Sequence, residues 1–510
     1  MHQLFPQKKG HSKNSLLLFS LLCFTALGTP LWGMEEQREA HNGRTNVQQK
    51  EEQEGNTEKT LLLSSSAHKE KSRCSTCSTI WNCLGSIPNY VKMAIGFARA
   101  TYQFKMLGQD KLNKITKCSD CPPTRWMGNA KPLTEKEKKL EKKLRQHIEE
   151  LSNKIGPRNF HEFPENLLKA ERYITSCLRD VENLNVTTQE FTATFKEIKK
   201  TLKQNNYKYR KHAQPPFFEY AGRKFLLKDK RDKYSFTNII AEKKGTDPEK
   251  YPTLTYVAHY DTVQKSPGAD DNDSSIAVLL QLAKMCSKKE FPWTIRFVFV
   301  PNEEWPLSRM ETEEGKPLMG SYYYFKNLNP KEKVDVIALD AVGYFSEQEN
   351  SQDFKLPILN RQYGTTIGNF IAFVGKAKDR TTFEPEPLLV KSYQKFTQKA
   401  KMRAEFLNAP IGVYGVDNKG CQPTWGRIVW GDMIPLVLVS AGHSDHHSAW
   451  VEKINSAILI TDTAGARNPN YHTVLDKIVN YPYLTRLTKD IFKMTDHFYE
   501  EDEGTLKEEI

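Results

Sequence analysis

Carboxylate and imidazole side chains stand at five places between residues 259 and 472, and their types are those of metal ligands. Four of the five places lie at or just beyond the end of a run of β-forming apolar residues. Oxygen and imidazole ligands at strand ends are one way in which a fold assembles a zinc site from distant positions. The set includes two His and no Cys, and it exceeds what one catalytic zinc requires, which indicates two metals sharing a carboxylate. The candidate residues are His259, Asp261, Asp270, Asp271, Glu303, Glu304, Asp340 and His472.

The first two places combine a histidine with nearby acidic residues. His259 and Asp261 are two residues apart at a predicted strand end, so their side chains share one face. We interpret His259 as a metal ligand whose second ring nitrogen is held by Asp261, with a purely structural pair as the alternative. Asp270 and Asp271 open a predicted helix and would also serve as capping residues. An acidic cluster close to a candidate ligand histidine favours the metal-binding interpretation.

The remaining places are two adjacent glutamates, a strand-end aspartate and a loop histidine. Glu303 and Glu304 follow a strand of buried type, where adjacent carboxylates are costly unless they are engaged. Because neighbouring side chains diverge, one glutamate can bind metal while the other accepts a proton. Asp340 closes another apolar strand, and His472 lies in a turn-rich loop. Taken singly, these two would be a strand-end cap and a surface histidine.

The elements that must position these residues alternate between strands and helices from Thr253 onward. A helix is predicted to begin just after Asp271. The capping box of Thr134 and Glu137 begins another predicted helix, which ends at residue 155. A further helix is predicted over 170–181, and strands are predicted over 187–195, 253–258, 293–300, 334–339, 436–440 and 457–461. This order predicts an α/β fold with a mixed, largely parallel twisted sheet flanked by helices, whose site lies beyond the carboxyl ends of strands.

The composition divides the chain into segments that precede and follow this domain. Lysines followed by an apolar run over 16–27 predict a signal peptide, because the run is too short to span a bilayer comfortably. We therefore expect a secreted or periplasmic protein with no stable membrane span after cleavage; an uncleaved membrane anchor is the alternative. The predicted segments are 1–28 signal peptide, 29–73 disordered spacer, 74–133 cysteine-bearing segment without an assigned role, 134–500 ligand-bearing domain and 501–510 acidic tail.

Charge and cysteine content bear on partners and on the redox environment. The net charge of +12 comes from lysines spread through the chain, which does not favour a nucleic-acid partner. The cysteines of the 74–133 segment include two C-x-x-C pairs, which are Cys74 with Cys77 and Cys118 with Cys121. In an exported chain, disulfides are favoured over a four-cysteine zinc site.

The ordered series H-x-D, G-A-D-D-N, N-E-E, L-D, S-D-H-x-S-x-W and N-P-x-Y-H-T resembles a known family over residues 133–487. It is similar to the zinc-dependent exopeptidases, that is, to the secreted bacterial di-zinc aminopeptidases and to the glutamate carboxypeptidases and glutaminyl cyclases related to them. The resemblance implies two zinc ions on an eight-stranded mixed sheet. It further implies that His259 and Asp340 hold one zinc, that Glu304 and His472 hold the other, that Asp271 rather than Asp270 bridges them, and that Glu303 is the general base.

The resemblance implies a secreted zinc metallopeptidase, with an aminopeptidase as the first expectation. Its substrates would be peptides with a free N-terminus, attacked by a metal-activated water whose proton Glu303 takes, with Asp261 counted among the catalytic residues. One alternative is a glutaminyl-peptide cyclase with a single zinc. Another is a non-catalytic binding module, which the retained ligands and Glu303 argue against. An insertion over 305–318 is expected to overhang the site, and no motif indicates an oligomeric state.

Overall fold

The computed structural model describes residues 109–118, 132–220, 222–228, 230–354, 357–378, 383–409 and 444–500. All of them lie in one compact unit that spans Ile80–Ile510. The predicted signal peptide, spacer, acidic tail and strand over 436–440 fall outside the described residues, as does most of the cysteine-bearing segment. Within that segment Cys118 is disulfide-bonded, as predicted for an exported chain.

Eight strands form one mixed sheet, which confirms the predicted fold class. They are β1 Asn185–Thr194, β5 Lys233–Lys243, β6 Thr253–His259, β7 Ile295–Val300, β8 Val334–Leu339, β9 Phe370–Lys376, β10 Arg403–Ala409 and β11 Ala457–Thr461. Their order across the sheet is β1-β5-β7-β6-β8-β11-β9-β10. The central strands β7, β6, β8 and β11 are parallel, β9 pairs in parallel with β10, and β1, β5 and β9 make the antiparallel junctions. A second, three-stranded sheet consists of β2 Lys208–Arg210, β3 Phe217–Tyr220 and β4 Arg223–Leu226.

The helices pack on both faces of the main sheet. Along β6, Tyr256 and Ala258 join one apolar cluster while Val257 joins another, as expected where successive side chains point to opposite faces. The described α-helices are α1 Gln109–Thr116, α2 Glu135–Ile148, α3 Pro164–Arg179, α4 Phe195–Gln204, α5 Asp273–Cys286, α6 Gly320–Lys326, α7 Pro357–Tyr363, α8 Pro387–Lys399, α9 Asp445–Val451 and α10 Tyr481–Asp496. Among the described residues, none of the helices has the length and apolar character that crossing a membrane requires.

Most predicted elements are present, with shifts that have local causes. The predicted capping box of Thr134 and Glu137 begins α2, and the remainder of that predicted helix is a π-helical stretch over Glu149–Ile155. Helix α3 begins earlier than predicted, with Pro164 at its first turn, where proline is favoured. The sequence did not indicate strands β5, β9 or β10.

The parallel strands bring the candidate residues to one edge of the sheet. His259 is the last residue of β6, the two glutamates follow the end of β7, and Asp340 follows the end of β8. Because these three strands are parallel neighbours, their carboxyl ends meet at the same edge. The fold therefore assembles the site from residues that are far apart in the chain.

Candidate active site

Two groups of three side chains meet at this edge and have one carboxylate in common. His259, Asp271 and Asp340 place ligand atoms within 4.8 Å of one another, and so do Asp271, Glu304 and His472. Asp271 Oδ1 lies 3.3 Å from His259 Nε2, while its Oδ2 lies 3.1 Å from His472 Nε2. The Asp271 carboxylate thus faces both histidines, His259 with its Oδ1 and His472 with its Oδ2.

The chemistry of these groups fits metal binding. His259 Nε2, Glu304 Oε1 and Asp340 Oδ1 are buried and have no hydrogen-bond partner. Unpartnered buried polar atoms are costly, and a cation coordinated by nitrogen and oxygen ligands would satisfy all three. Imidazole and carboxylate ligands in this combination suit zinc.

The charges in the cluster favour a cation at its centre. Burial lowers the pKa of His259, yet the neighbouring carboxylates of Asp261, Asp271 and Asp340 raise that pKa well above the ordinary value. Burial raises the pKa of Asp271, but the nearby rings of His259 and His472 bring that pKa below the usual range. The carboxylates therefore stabilise positive charge, whether it is carried by protons or by a metal.

Asp261 connects the histidine to both glutamates. Its Oδ1 accepts the Glu303 N–H at 3.2 Å and its Oδ2 accepts the Glu304 N–H at 3.1 Å. The same Oδ1 lies 3.5 Å from His259 Nδ1, the ring nitrogen that faces away from Asp271. The hydrogen bond of this ring nitrogen is to the Asp261 carbonyl oxygen at 3.2 Å. Asp261 thus contacts three candidate residues, the histidine through its main chain and the two glutamates through its carboxylate.

Glu303 differs from the other acidic residues because it faces a cavity and belongs to neither ligand group. It is half-buried and lines a cavity of 410 Å³ together with Glu304, Asp340 and His472. Burial raises the pKa of Glu303 well above its ordinary value; repulsion from Glu304 and Asp340 adds to this, and His259 opposes it. A raised pKa makes a carboxylate a stronger proton acceptor.

The cavity extends from this polar end over an apolar surface of the sheet. Its apolar lining includes Phe354, Leu359 and Phe370. Trp305 and Arg309 of the predicted insertion line the same cavity. The cavity can therefore receive an apolar group beside its polar end.

The two adjacent aspartates, which the sequence did not separate by itself, have different surroundings. Asp270 Oδ1 accepts the Gly343 N–H at 2.9 Å, and its Oδ2 accepts the Asn468 side-chain amide at 2.8 Å. Both oxygens of Asp270 are thus engaged by other loops, whereas those of Asp271 face the histidines. This difference favours Asp271 as the shared ligand.

Arg158 supports the same region from the loop after the π-helical stretch, and the sequence did not indicate it. It is fully buried and forms an ion pair with Asp273 at the start of α5. Its guanidinium also donates to the carbonyl oxygens of Tyr260 and Pro267 at 2.7 and 3.0 Å. Arg158 therefore holds together both ends of the segment that leads from β6 to Asp271.

Asp476 is a second residue that the sequence did not indicate. It is fully buried; its Oδ1 accepts the Asp270 N–H at 3.2 Å and its Oδ2 accepts the Asp271 N–H at 3.1 Å. It lies in the same loop as His472 and joins that loop to the backbone of the shared ligand. The sequence places Asp476 soon after the candidate ligand His472. This position did not predict a role in the site, because an aspartate in a loop is usually a turn residue.

We expect Asp476→Asn to weaken zinc retention. An asparagine side chain has one acceptor oxygen, so it can accept only one of the two N–H groups of Asp270 and Asp271. Its NH₂ group would face the other N–H, and the backbone of Asp271 would no longer be held by two hydrogen bonds. Replacing a partner that orients a ligand typically costs about 10–100-fold in metal affinity. The measurement is zinc content after dialysis against graded chelator concentrations.

Asp490→Asn is the matched control for this variant. Asp490 is also buried and accepts two adjacent backbone N–H groups, those of Lys401 and Met402, at 2.8 and 3.2 Å. Neither of those residues is a candidate ligand, so the control should lose stability and keep its zinc. Equal zinc retention by the two variants would show that Asp476 does not orient the metal ligands.

Comparisons with known proteins relate part of this chain to a peptidase family. Residues 238–393 match the model of peptidase family M28. The uncharacterized protein YfbL of Escherichia coli is 27% identical over 51% of this chain and 70% of its own length. Aminopeptidase YwaD of Bacillus subtilis is 38% identical over 19% of this chain and 18% of its own length. The solved zinc aminopeptidase BSAP of Bacillus subtilis aligns with 70% of this chain and 94% of its own, at 16% identity and a TM-score of 0.44.

The matched segment contains most of the candidate site. His259, Asp271, Glu304 and Asp340 lie within residues 238–393, and His472 lies beyond them. The predicted resemblance to zinc-dependent exopeptidases is confirmed by this match. Residues 238–393 are similar to peptidase family M28, and this similarity supports a zinc metallopeptidase.

Proposed function

We propose that this metallopeptidase is a di-zinc aminopeptidase that removes N-terminal residues from peptides. The observation that supports it most is the position of Asp271, whose two oxygens face different histidines. His259 and Asp340 would hold one zinc, Glu304 and His472 would hold the other, and Asp271 would bridge them. When bound, zinc polarises a carbonyl group and lowers the pKa of water.

The chain's own residues supply the proton transfers and the binding surface. Glu303 accepts a proton from the attacking water and returns it to the nitrogen of the leaving amine, which its raised pKa favours. Asp261 holds the backbone of Glu303 in place while this proton is carried. The apolar part of the cavity receives the side chain of the N-terminal residue.

We expect two zinc ions per chain and hydrolysis that requires a free N-terminus. Three protein ligands suffice for one catalytic zinc, and the two ligand groups here each contain three residues with one in common. Elemental analysis of the purified protein, combined with assays on free and N-acetylated peptides, measures both quantities. A single zinc that supports full activity on N-terminal glutaminyl peptides would instead indicate a glutaminyl-peptide cyclase.

We also propose that the protein is exported, with residues 1–28 as its signal peptide. The support is the sequence itself, in which Lys8 and Lys9 precede an apolar run. N-terminal sequencing of the mature protein should give a start near Thr29. A membrane-bound chain that retains Met1 would show an uncleaved anchor.

A further inference from the structure

Helix α1 lies outside the predicted ligand-bearing domain and yet packs behind the apolar part of the cavity. Its Leu112 and Ile115 are only 6% and 0% exposed. They belong to the same apolar cluster as Phe354, Leu359 and Phe370. These three residues also line the cavity, whereas Leu112 and Ile115 do not. Helix α1 therefore supports the cavity wall from its far side.

Polar contacts fix α1 to α7, which carries Leu359, and to β10, which pairs with the strand of Phe370. Gln362 of α7 donates its side-chain amide to Asn113 Oδ1 at 3.1 Å. Asn408 of β10 donates its side-chain amide to the Lys114 carbonyl oxygen at 3.3 Å. These contacts bridge more than two hundred residues of sequence, so the helix is held by residues of the ligand-bearing domain.

The packing of Phe383 restrains the helix further. Cys118 lies just beyond the end of α1 and is disulfide-bonded. At the other side, Lys111 Nζ lies 5.4 Å from the centre of the Phe383 ring, which is part of the same apolar cluster. The side chains of this wall cannot easily move away from a bound side chain, because tightly packed protein interiors have low compressibility.

We propose that α1 sets the depth of the pocket that receives the substrate's N-terminal side chain. The cysteine-bearing segment would then have a role in substrate selection, exerted through Leu112 and Ile115. These are positioning residues, since they act on the substrate only through the aromatic and aliphatic residues in front of them. The proposal rests on the proposed aminopeptidase function.

The test compares two substitutions of opposite size at Leu112 with two substrates. Leu112→Ala removes volume behind the wall, and Leu112→Phe adds it. The substrates are the phenylalanyl and leucyl p-nitroanilides, assayed with the zinc-loaded full chain. One methylene in an apolar pocket changes kcat/KM by about 10–200-fold. Leu112 acts on the pocket only through the lining residues in front of it, so the effect of its substitution should lie at the lower end of that range. We expect the Phe-to-Leu ratio of kcat/KM to rise about 10-fold in Leu112→Ala and to fall in Leu112→Phe.

A matched control separates this effect from loss of stability. Leu178 in α3 is fully buried in a different apolar cluster that contains none of the lining residues named above. Leu178→Ala should therefore leave the ratio at the parent value while destabilising the fold. A ratio that stays unchanged in both Leu112 variants, with the parent active, would overturn the role of α1 alone. A parent chain that cleaves neither substrate would overturn the aminopeptidase proposal, and this one with it.

Discussion

Glu303→Gln should remove nearly all turnover while zinc content stays at the parent level. Glutamine has almost the same shape as glutamate, but it cannot accept a proton from water. Glu303 faces the cavity and is in neither group of candidate ligands, so its replacement leaves both groups complete. General-base catalysis typically contributes about 10²–10⁴-fold, and kcat should fall by at least that factor. The measurement is kcat on an unblocked aminoacyl substrate together with zinc content.

Glu304→Gln is the matched comparison, since it makes the same chemical change one residue further on. Glu304 Oε1 lies 3.2 Å from His472 Nε2 within a ligand group, so this variant should lose zinc first and activity as a consequence. Excess zinc should then restore part of the rate to Glu304→Gln and none to Glu303→Gln. Loss of zinc from Glu303→Gln with retention in Glu304→Gln would reverse the two assignments. Full activity in both would contradict the hydrolytic mechanism.

Asp271→Ala should lose both zinc ions and activity together. Each ligand group contains Asp271, so its removal leaves only two protein ligands in each. Two ligands are fewer than a catalytic zinc site ordinarily has. Zinc content should fall from two ions per chain to well below one, as measured after gel filtration in metal-free buffer.

Asp270→Asn is the comparison for this prediction. Asp270 accepts hydrogen bonds from Gly343 and Asn468, so the change should lower stability and leave zinc bound. Retention of both zincs by Asp271→Ala, with their loss from Asp270→Asn, would transfer the bridging role to Asp270. The pair therefore tests which of two adjacent carboxylates is shared.

Local patterns in the sequence were sufficient to predict the central strands and the edge at which the site lies. The runs that became β6, β7 and β8 are short and apolar, and each is followed by acidic residues or ends in His259. Such runs indicate buried parallel strands because both of their faces are covered. Strands β5 and β10 escaped notice because polar residues interrupt them, as the mixed burial along each strand shows.

The sequence by itself determined the types of the candidate ligands, their order and the strand ends that carry them. The family resemblance already favoured Asp271 over Asp270, but the physical difference between them appears only in the tertiary structure, because it depends on hydrogen bonds to Gly343 and Asn468, which are distant in the chain. The same holds for Asp476, which braces a loop two hundred residues away, and for α1, which lies outside the predicted domain. Periodicity and spacing in the sequence predict the secondary structure of the segment in which a residue lies. Contacts between segments depend on how the whole chain packs, and no local pattern encodes them.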